Sequence, residues 1–202
     1  MTATFAIVPV KDPARGKSRL APCLADGERA ALNVRLAART FDCCSEVLGP
    51  ARVLVVTASD AMAAEAARRG MPVARERSPG DLNAALRLGA EAAIGLGARA
   101  IVVVPADIAR ISASALRRAV AALESADGGI VVADRHGSGT NLLGLHPART
   151  DLFRFGAESF GEHAAAALDA GVDLRALDCP DLALDLDLPE DYALWRREAP
   201  AG

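Results

Sequence analysis

Four cations, Lys11, Arg15, Lys17 and Arg19, fall within nine positions, directly after the apolar run Phe5-Ala6-Ile7-Val8. Pro13 and Gly16 lie between them. A basic loop leaving the carboxyl end of a buried strand sits where open α/β sheets take their ligands. Four cations there suit a polyanion, most economically a nucleoside triphosphate. Farther along, Asp107 follows the run Ala100-Ile101-Val102-Val103-Val104, and Asp185 and Asp187 alternate with leucines ahead of the last helix. Carboxylates from separate strand ends that converge on one point make a hard-cation site. Mg²⁺ needs only one or two of them together with substrate phosphates. Asp107 also suits a turn or helix cap, and Asp187 suits the N-cap of the final helix, with Pro189 inside its first turn. Asp185 has no such competing role and is the favoured ligand, although an alternating strand puts both aspartates on one face.

Several other chemistries are disfavoured. Gly16-Lys17-Ser18 imitates the end of a P-loop, but that pattern needs glycine where Lys11 stands, and Pro13 removes one N–H from the cradle. The segment reads instead as a basic, partly extended loop. No G-x-G-x-x-G opens the first helix, which argues against a dinucleotide cofactor. The three histidines have no metal-ligand spacing, so zinc is not expected. His146 precedes a proline and reads as structural. His163 reads as packed or solvent-facing within a helix, and only His136, in a glycine-rich loop, is open to a functional role. Cys23, Cys43, Cys44 and Cys179 show no C-x-x-C spacing and are expected as buried free thiols in a reducing cytoplasm. A net charge of -3 argues against nucleic acid as a partner. No signal-peptide pattern and no run near ~18 apolar residues point to a membrane.

The positioning elements follow from pattern. With 202 residues, 51% hydrophobic and only 3% aromatic, the chain suits one domain with an aliphatic core of helices packed closely on a sheet. Strands are expected at Phe5–Val8, Arg52–Thr57, Pro72–Arg75, Ala100–Val104, Gly129–Asp134, Leu142–Leu145 and Asp173–Leu177. Leu142–Leu145 should be antiparallel or at an edge. Helices are expected from Asp26 to about Cys44, from Ser59 or Asp60 to Arg69, from Asp81 to about Leu96, and from Ser112 to about Ser125. One more should open at a capping box Ser159-x-x-Glu162 and run to Ala170, and the last should follow Asp187. Strand–helix repetition with short loops implies a mostly parallel sheet covered on both faces, with right-handed crossovers.

In this order the motifs VPVKDPARGKSRLAP, GDLNAAL, VVVPADI, DRHGSGTNLL, FRFGAESF and LALDLDLPEDY span almost the whole chain. Together they resemble the CofC/FbiD family, the guanylyltransferases of coenzyme F420 biosynthesis. The resemblance implies a nucleotide-diphospho-sugar-transferase-like, Rossmann-like three-layer α/β fold in a single domain covering residues 1–202. It implies transfer of GMP from GTP to a small phosphorylated three-carbon acid, with release of pyrophosphate. The acceptors known in the family are 2-phospho-L-lactate, phosphoenolpyruvate and 3-phospho-D-glycerate. By the family pattern Asp107, Asp185 and Asp187 would hold Mg²⁺. Lys11, Lys17 and Arg19 would face the triphosphate, with Lys17, Arg19 and Asp107 central to catalysis, and Gly80 and Asn83 would lie near the guanine. Thr140, Asn141, Gly156 and Ser159 would bind the acceptor. The chain departs from the pattern at Ile108-Ala109, where the family usually has Leu-Pro, and at Ala157-Glu158, where Pro-Gly is common. A carboxylate at position 158 would favour an acceptor that carries a hydroxyl, such as 3-phosphoglycerate.

An anionic acceptor phosphate needs no general base, which agrees with a site built of cations and carboxylates. The competing readings are a related nucleotidyltransferase acting on a sugar phosphate or molybdopterin, and a nucleotide-binding module without turnover. The expected setting is cytoplasmic, without nucleic acid or membrane, and a homodimer is left open.

Overall fold

The computed structural model describes residues 3–77 and 80–198. Ser78 and Pro79 lie outside them. The elements are β1 (Thr4–Pro9), α1 (Asp26–Leu48), β2 (Val53–Thr57), α2 (Asp60–Arg68), β3 (Val73–Arg75), α3 (Leu82–Gly95), β4 (Ala100–Val103), α4 (Ala113–Glu124), β5 (Gly128–Ala133), β6 (Thr140–Leu145), α5 (Ser159–Asp169), β7 (Asp173–Ala176), α6 (Pro180–Ala183) and α7 (Pro189–Glu198). Seven strands form one sheet in the order β3-β2-β1-β4-β6-β5-β7. Only β6 runs antiparallel, against β4 and β5.

Strand alternation sorts the core into two layers. Ala6, Val8, Val102 and Val104 face one side, packed with Phe41 of α1, Met62 of α2 and Leu116 of α4. Phe5, Ile7, Ile101 and Val103 face the other, packed with Leu86 and Ala90 of α3 and Ala167 of α5. The result is a three-layer α/β/α arrangement, as the strand–helix repetition implied. β1 and β4 are neighbours (Ile7 opposite Val103), and the order of strands reverses between them. The crevice at their carboxyl ends is therefore the topological switch point, where ligands of open sheets bind.

Some boundaries differ from the sequence reading. β6 is not an edge strand: its Gly144 lies opposite both Val102 and Ile130. Nearly every residue of β6 is buried, which a place between two strands explains. The capping box at Ser159 does not form. Glu158 occupies the cap position and Ser159 is the first helical residue, buried at 2% exposure. Likewise Ala25, not Asp26, precedes α1, and the Glu28 carboxylate accepts the Ala25 N–H at 2.8 Å. α6, a single turn begun by Pro180, was not foreseen. Of the four free thiols, only Cys44 and Cys179 are fully buried; Cys23 is exposed. No helix among the described residues is long and apolar enough to cross a membrane.

α3 lies so close to the sheet that a Cβ at Gly89 would approach Ile7 Cγ2 and Val56 Cγ2 at 2.7 Å, whereas one at Gly95 would meet nothing within 4 Å. Gly89→Val should therefore lower stability by about 1–3 kcal/mol through overpacking. Gly95→Ala should be neutral or raise it by up to about 1 kcal/mol through helix propensity. Urea denaturation of the two variants checks the contrast.

Candidate active site

The basic loop leaves β1 and folds into two short 3₁₀ turns, Pro13–Arg15 and Ser18–Leu20. Asp12 starts the first by accepting the Ala14 N–H at 3.1 Å. Asn33 of α1 donates to the Pro13 carbonyl at 2.8 Å and lies where a Gly16 side chain would project. Lys17 follows in the left-handed region (φ 58°), the one non-glycine residue with positive φ among those described. That conformation is costly for a side-chain-bearing residue and is held by its surroundings. It turns the Lys17 ammonium inward, and Leu20 at the end of the second turn is wholly buried.

Leu20 belongs to a small separate core with Leu32, Leu36, Ala109, Leu184 and Leu186. This cluster positions the acids. Leu184 and Leu186 are buried, so the alternating Asp185 and Asp187 point the opposite way. The segment pairs antiparallel to the turn after β4: Ile108 bridges Asp185, and the Ala109 N–H donates to the Leu184 carbonyl at 2.8 Å. Arg39 of α1 holds that turn through the Ala109 and Ile111 carbonyls. Carboxylate oxygens of Asp107, Asp185 and Asp187 consequently lie within 4.8 Å of one another.

Lys17 Nζ sits among them, 3.1 Å from Asp107 and 3.3 Å from Asp187, with its side chain only 3% exposed. Burial works against the ammonium, yet the charges of Asp107 and Asp187 and their hydrogen bonds outweigh it and hold its pKa above the usual lysine value. Asp185 has no such partner. Burial first, and then the charges of Asp107 and Asp187, push its carboxyl up to about 6. Its one hydrogen-bond donor from a side chain is Asn141 Nδ2, at 3.5 Å. The competing N-cap role for Asp187 is overturned: Asp191 accepts the Leu188 N–H at 2.9 Å, leaving Asp187 facing Lys17. Asp191 is itself buried and paired with Arg135 of the glycine-rich loop. Neither Arg135 nor Asp191 was singled out from sequence, although a carboxylate three residues into a helix start is a recognisable capping signal.

The remaining expected site residues fall into two groups. Thr140 and Asn141 begin β6, buried at 7% and 5% exposure, beside the acid cluster. Thr140 Oγ1 lies 3.0 Å from His163 Nδ1, and the Arg154 N–H donates to His163 Nε2 at 3.0 Å. Asn83, in the first turn of α3, donates to the Phe155 carbonyl at 3.0 Å and accepts the Phe155 N–H at 2.8 Å. The loop that carries Gly156 to Ser159 is thus pinned from both sides. Lys11 and Arg19 stay exposed on the basic loop, and Gly80, with φ 137°, is exposed ahead of α3. His163 is packed, one of the two expected alternatives, and joins Thr140 to the Arg154 backbone. His146 is structural, with Nδ1 beside the Ala126 carbonyl, and His136 is exposed.

Residues 4–194 match the family described as guanylyl transferase CofC like. The chain belongs to that family. It is 39% identical to the phosphoenolpyruvate guanylyltransferase of Rubrobacter xylanophilus, over 99% of this chain and 96% of that one. It is 36% identical to the 3-phospho-D-glycerate guanylyltransferase of Phenylobacterium zucineum, over 92% and 86%. It is 32% identical to the 2-phospho-L-lactate guanylyltransferase of Methanothermobacter thermautotrophicus, over 93% and 82%. Among solved structures, a Desulfovibrio desulfuricans protein classed as a nucleotide-diphospho-sugar transferase superimposes with a TM-score of 0.74 at 17% identity, covering 100% of this chain and 90% of that one. That likeness speaks for the fold, which agrees with the expected nucleotide-diphospho-sugar-transferase-like architecture.

The electrostatics of this CofC-family site set a pH signature for the metal-free protein. Because the Asp185 carboxyl is raised to about 6, the folded state takes up its proton more readily than the unfolded state. Its contribution to stability is fully present below about pH 4 and is lost as pH rises through about 6. Asp185→Asn should stabilise the metal-free protein by roughly 1–3 kcal/mol near pH 8, with the difference vanishing near pH 4. Thermal melts at the two pH values, in a chelating buffer, decide it.

Proposed function

We propose that this protein transfers GMP from GTP to a small phosphorylated three-carbon acid and releases pyrophosphate, as a step of coenzyme F420 biosynthesis. The candidates are phosphoenolpyruvate, 3-phospho-D-glycerate and 2-phospho-L-lactate, the substrates after which its relatives are called. The observation that carries the reading is the convergence of Asp107, Asp185 and Asp187 opposite a buried lysine at the switch point of the sheet. Family membership specifies the reaction class.

Three carboxylates with one oxygen apiece inside 4.8 Å form an all-oxygen donor set of the kind Mg²⁺ takes. Asp107, Asp185 and Asp187 would hold the ion. When bound, it would neutralise phosphate charge and polarise the phosphoryl oxygens. In the reaction an oxygen of the acceptor phosphate attacks the α-phosphorus of GTP. A new P–O–P linkage forms while the bond from the α-phosphorus to the bridging oxygen breaks, and pyrophosphate departs with that oxygen. The nucleophile is already anionic, so no protein base need take a proton. The obstacle is repulsion between phosphates. Lys17, with Lys11 and Arg19 on the same loop, supplies the cations that offset it and hold the groups in line. Gly80 and Asn83 lie at the start of α3, on the side assigned to the guanine, and Thr140, Asn141, Gly156 and Ser159 are assigned to the acceptor. The four free thiols favour a reducing cytoplasm as the setting.

Pyrophosphate release from GTP, with Mg²⁺ and each acceptor in turn, tests the function. Release with none of the three would defeat the reading in favour of another acceptor or of binding without turnover. Asp107→Asn should keep the fold by circular dichroism and lower turnover at least about 100-fold; near-wild-type turnover removes Asp107 from the site. Glu158 is exposed at the cap position of α5, beside the assigned acceptor residues. Glu158→Gly should shift the ratio of kcat/KM values away from 3-phosphoglycerate and toward phosphoenolpyruvate. An unchanged ratio rules out a selecting role for the carboxylate.

A further inference from the structure

We propose that His163 is a positioning residue for acceptor binding: its neutral ring turns the Thr140 hydroxyl into a hydrogen-bond donor toward an anionic oxygen of the acceptor, and latches the loop that carries Gly156. The proposal rests on the reading above that Thr140 and its neighbours hold the acceptor.

The argument starts from a donor whose direction is known. The Arg154 backbone N–H can only donate, and it points at His163 Nε2 from 3.0 Å. That nitrogen must present its lone pair, so the neutral ring carries its proton on Nδ1. Nδ1 faces Thr140 Oγ1 at 3.0 Å. Thr140 Oγ1 is therefore an acceptor in this contact, and its own proton is left to be given elsewhere. A carboxylate or phosphate oxygen needs a donor, and the tautomer leaves one on Thr140. With the opposite tautomer Thr140 would spend its proton on the ring, and the Arg154 N–H would lose its acceptor.

The surroundings keep the ring neutral and oriented. His163 is 1% exposed, and Phe155 meets it edge-to-face with ring centroids 4.8 Å apart. Burial, with the Arg154 charge adding to it against the Ser159 hydrogen bond, brings its pKa down to about 4, so the ring carries no charge at neutral pH. The same ring touches two assigned acceptor elements at once: β6 through Thr140, and the 153–156 loop through Arg154 and Phe155. Asn83 clamps the adjacent Phe155 backbone from α3, so the loop's position is shared between the acceptor side and the side assigned to the nucleotide.

The test uses steady-state kinetics of the full chain with GTP, Mg²⁺ and whichever acceptor supports release. His163→Phe fills similar volume without either polar contact and should raise the acceptor KM roughly 10- to 100-fold, as expected for loss of a hydrogen bond to a charged group. The GTP KM should stay within about twofold. His163→Asn, whose amide can still donate to Thr140, should recover most of the acceptor KM and serves if the phenylalanine variant fails to fold. Thr140→Val should reproduce the defect, and adding His163→Phe to it should worsen the acceptor KM little, because both remove one interaction. An unchanged acceptor KM in Thr140→Val would sink the assigned acceptor site itself. A raised acceptor KM in Thr140→Val alongside additive effects, equal losses in both KM values, or no recovery by His163→Asn would overturn the role of His163 and leave the acceptor site standing.

Discussion

Repulsion among three carboxylates gathered within 4.8 Å is the constraint that the rest of this structure answers. At that separation two like charges cost about 3 kcal/mol per pair at an effective dielectric of 20, before solvent screening reduces it. No chain collects such a cluster by default. Here Lys17 meets two of the three acids from a buried position, while the carboxyl of the third, Asp185, is raised first by burial and then by the charges of the other two. The arrangement is the one proposed above to take a cation together with the phosphates it accompanies.

What holds the acids together against that repulsion is apolar. Leu184 and Leu186 drive into a small core with Leu20 and Ala109, and the strand period then forces Asp185 and Asp187 to the opposite side. The same core anchors the basic loop through Leu20 and the turn after β4 through Ala109. One hydrophobic cluster thus sets the distances between the lysine and all three aspartates. The helix start after Asp187 is capped by Asp191 rather than by Asp187, which keeps that carboxylate in the site. Lys17 is one of only two lysines in the chain, Lys11 being the other, among 23 basic residues. A compact ammonium with three donors fits between carboxylates better than a planar guanidinium does.

The acceptor side is built by different means. There the ordering elements are neutral hydrogen bonds between buried groups: Asn83 with the Phe155 backbone, and His163 with Arg154 and Thr140. Such contacts have direction, and in a low-dielectric interior they fix which atoms are left to donate. Asn141 connects the two halves, since it sits next to Thr140 and reaches Asp185. The site therefore joins a charged half, proposed for the triphosphate and its cation, to a neutral directional half, proposed for the acceptor acid.

By itself the sequence determined the local elements and the cast of chemistry. Buried strands such as Ile101–Val103 announce themselves as apolar runs, and Ser59, Asp81 and Ser112 announce helix starts. These are legible because propensity, capping and alternation act over a few residues. Six motifs in register also carried the family. Only the tertiary structure decided that β6 is inserted between β4 and β5, that Asp187 escapes its capping role, and that Lys17 lies inside the acid cluster. It alone decided between the packed and solvent-facing readings of His163 and named its partners, Thr140 and the Arg154 backbone. The places of His163 and Lys17 depend on partners 23 and 170 positions away, in the Thr140–His163 and Lys17–Asp187 pairs, and no local pattern encodes which distant group arrives.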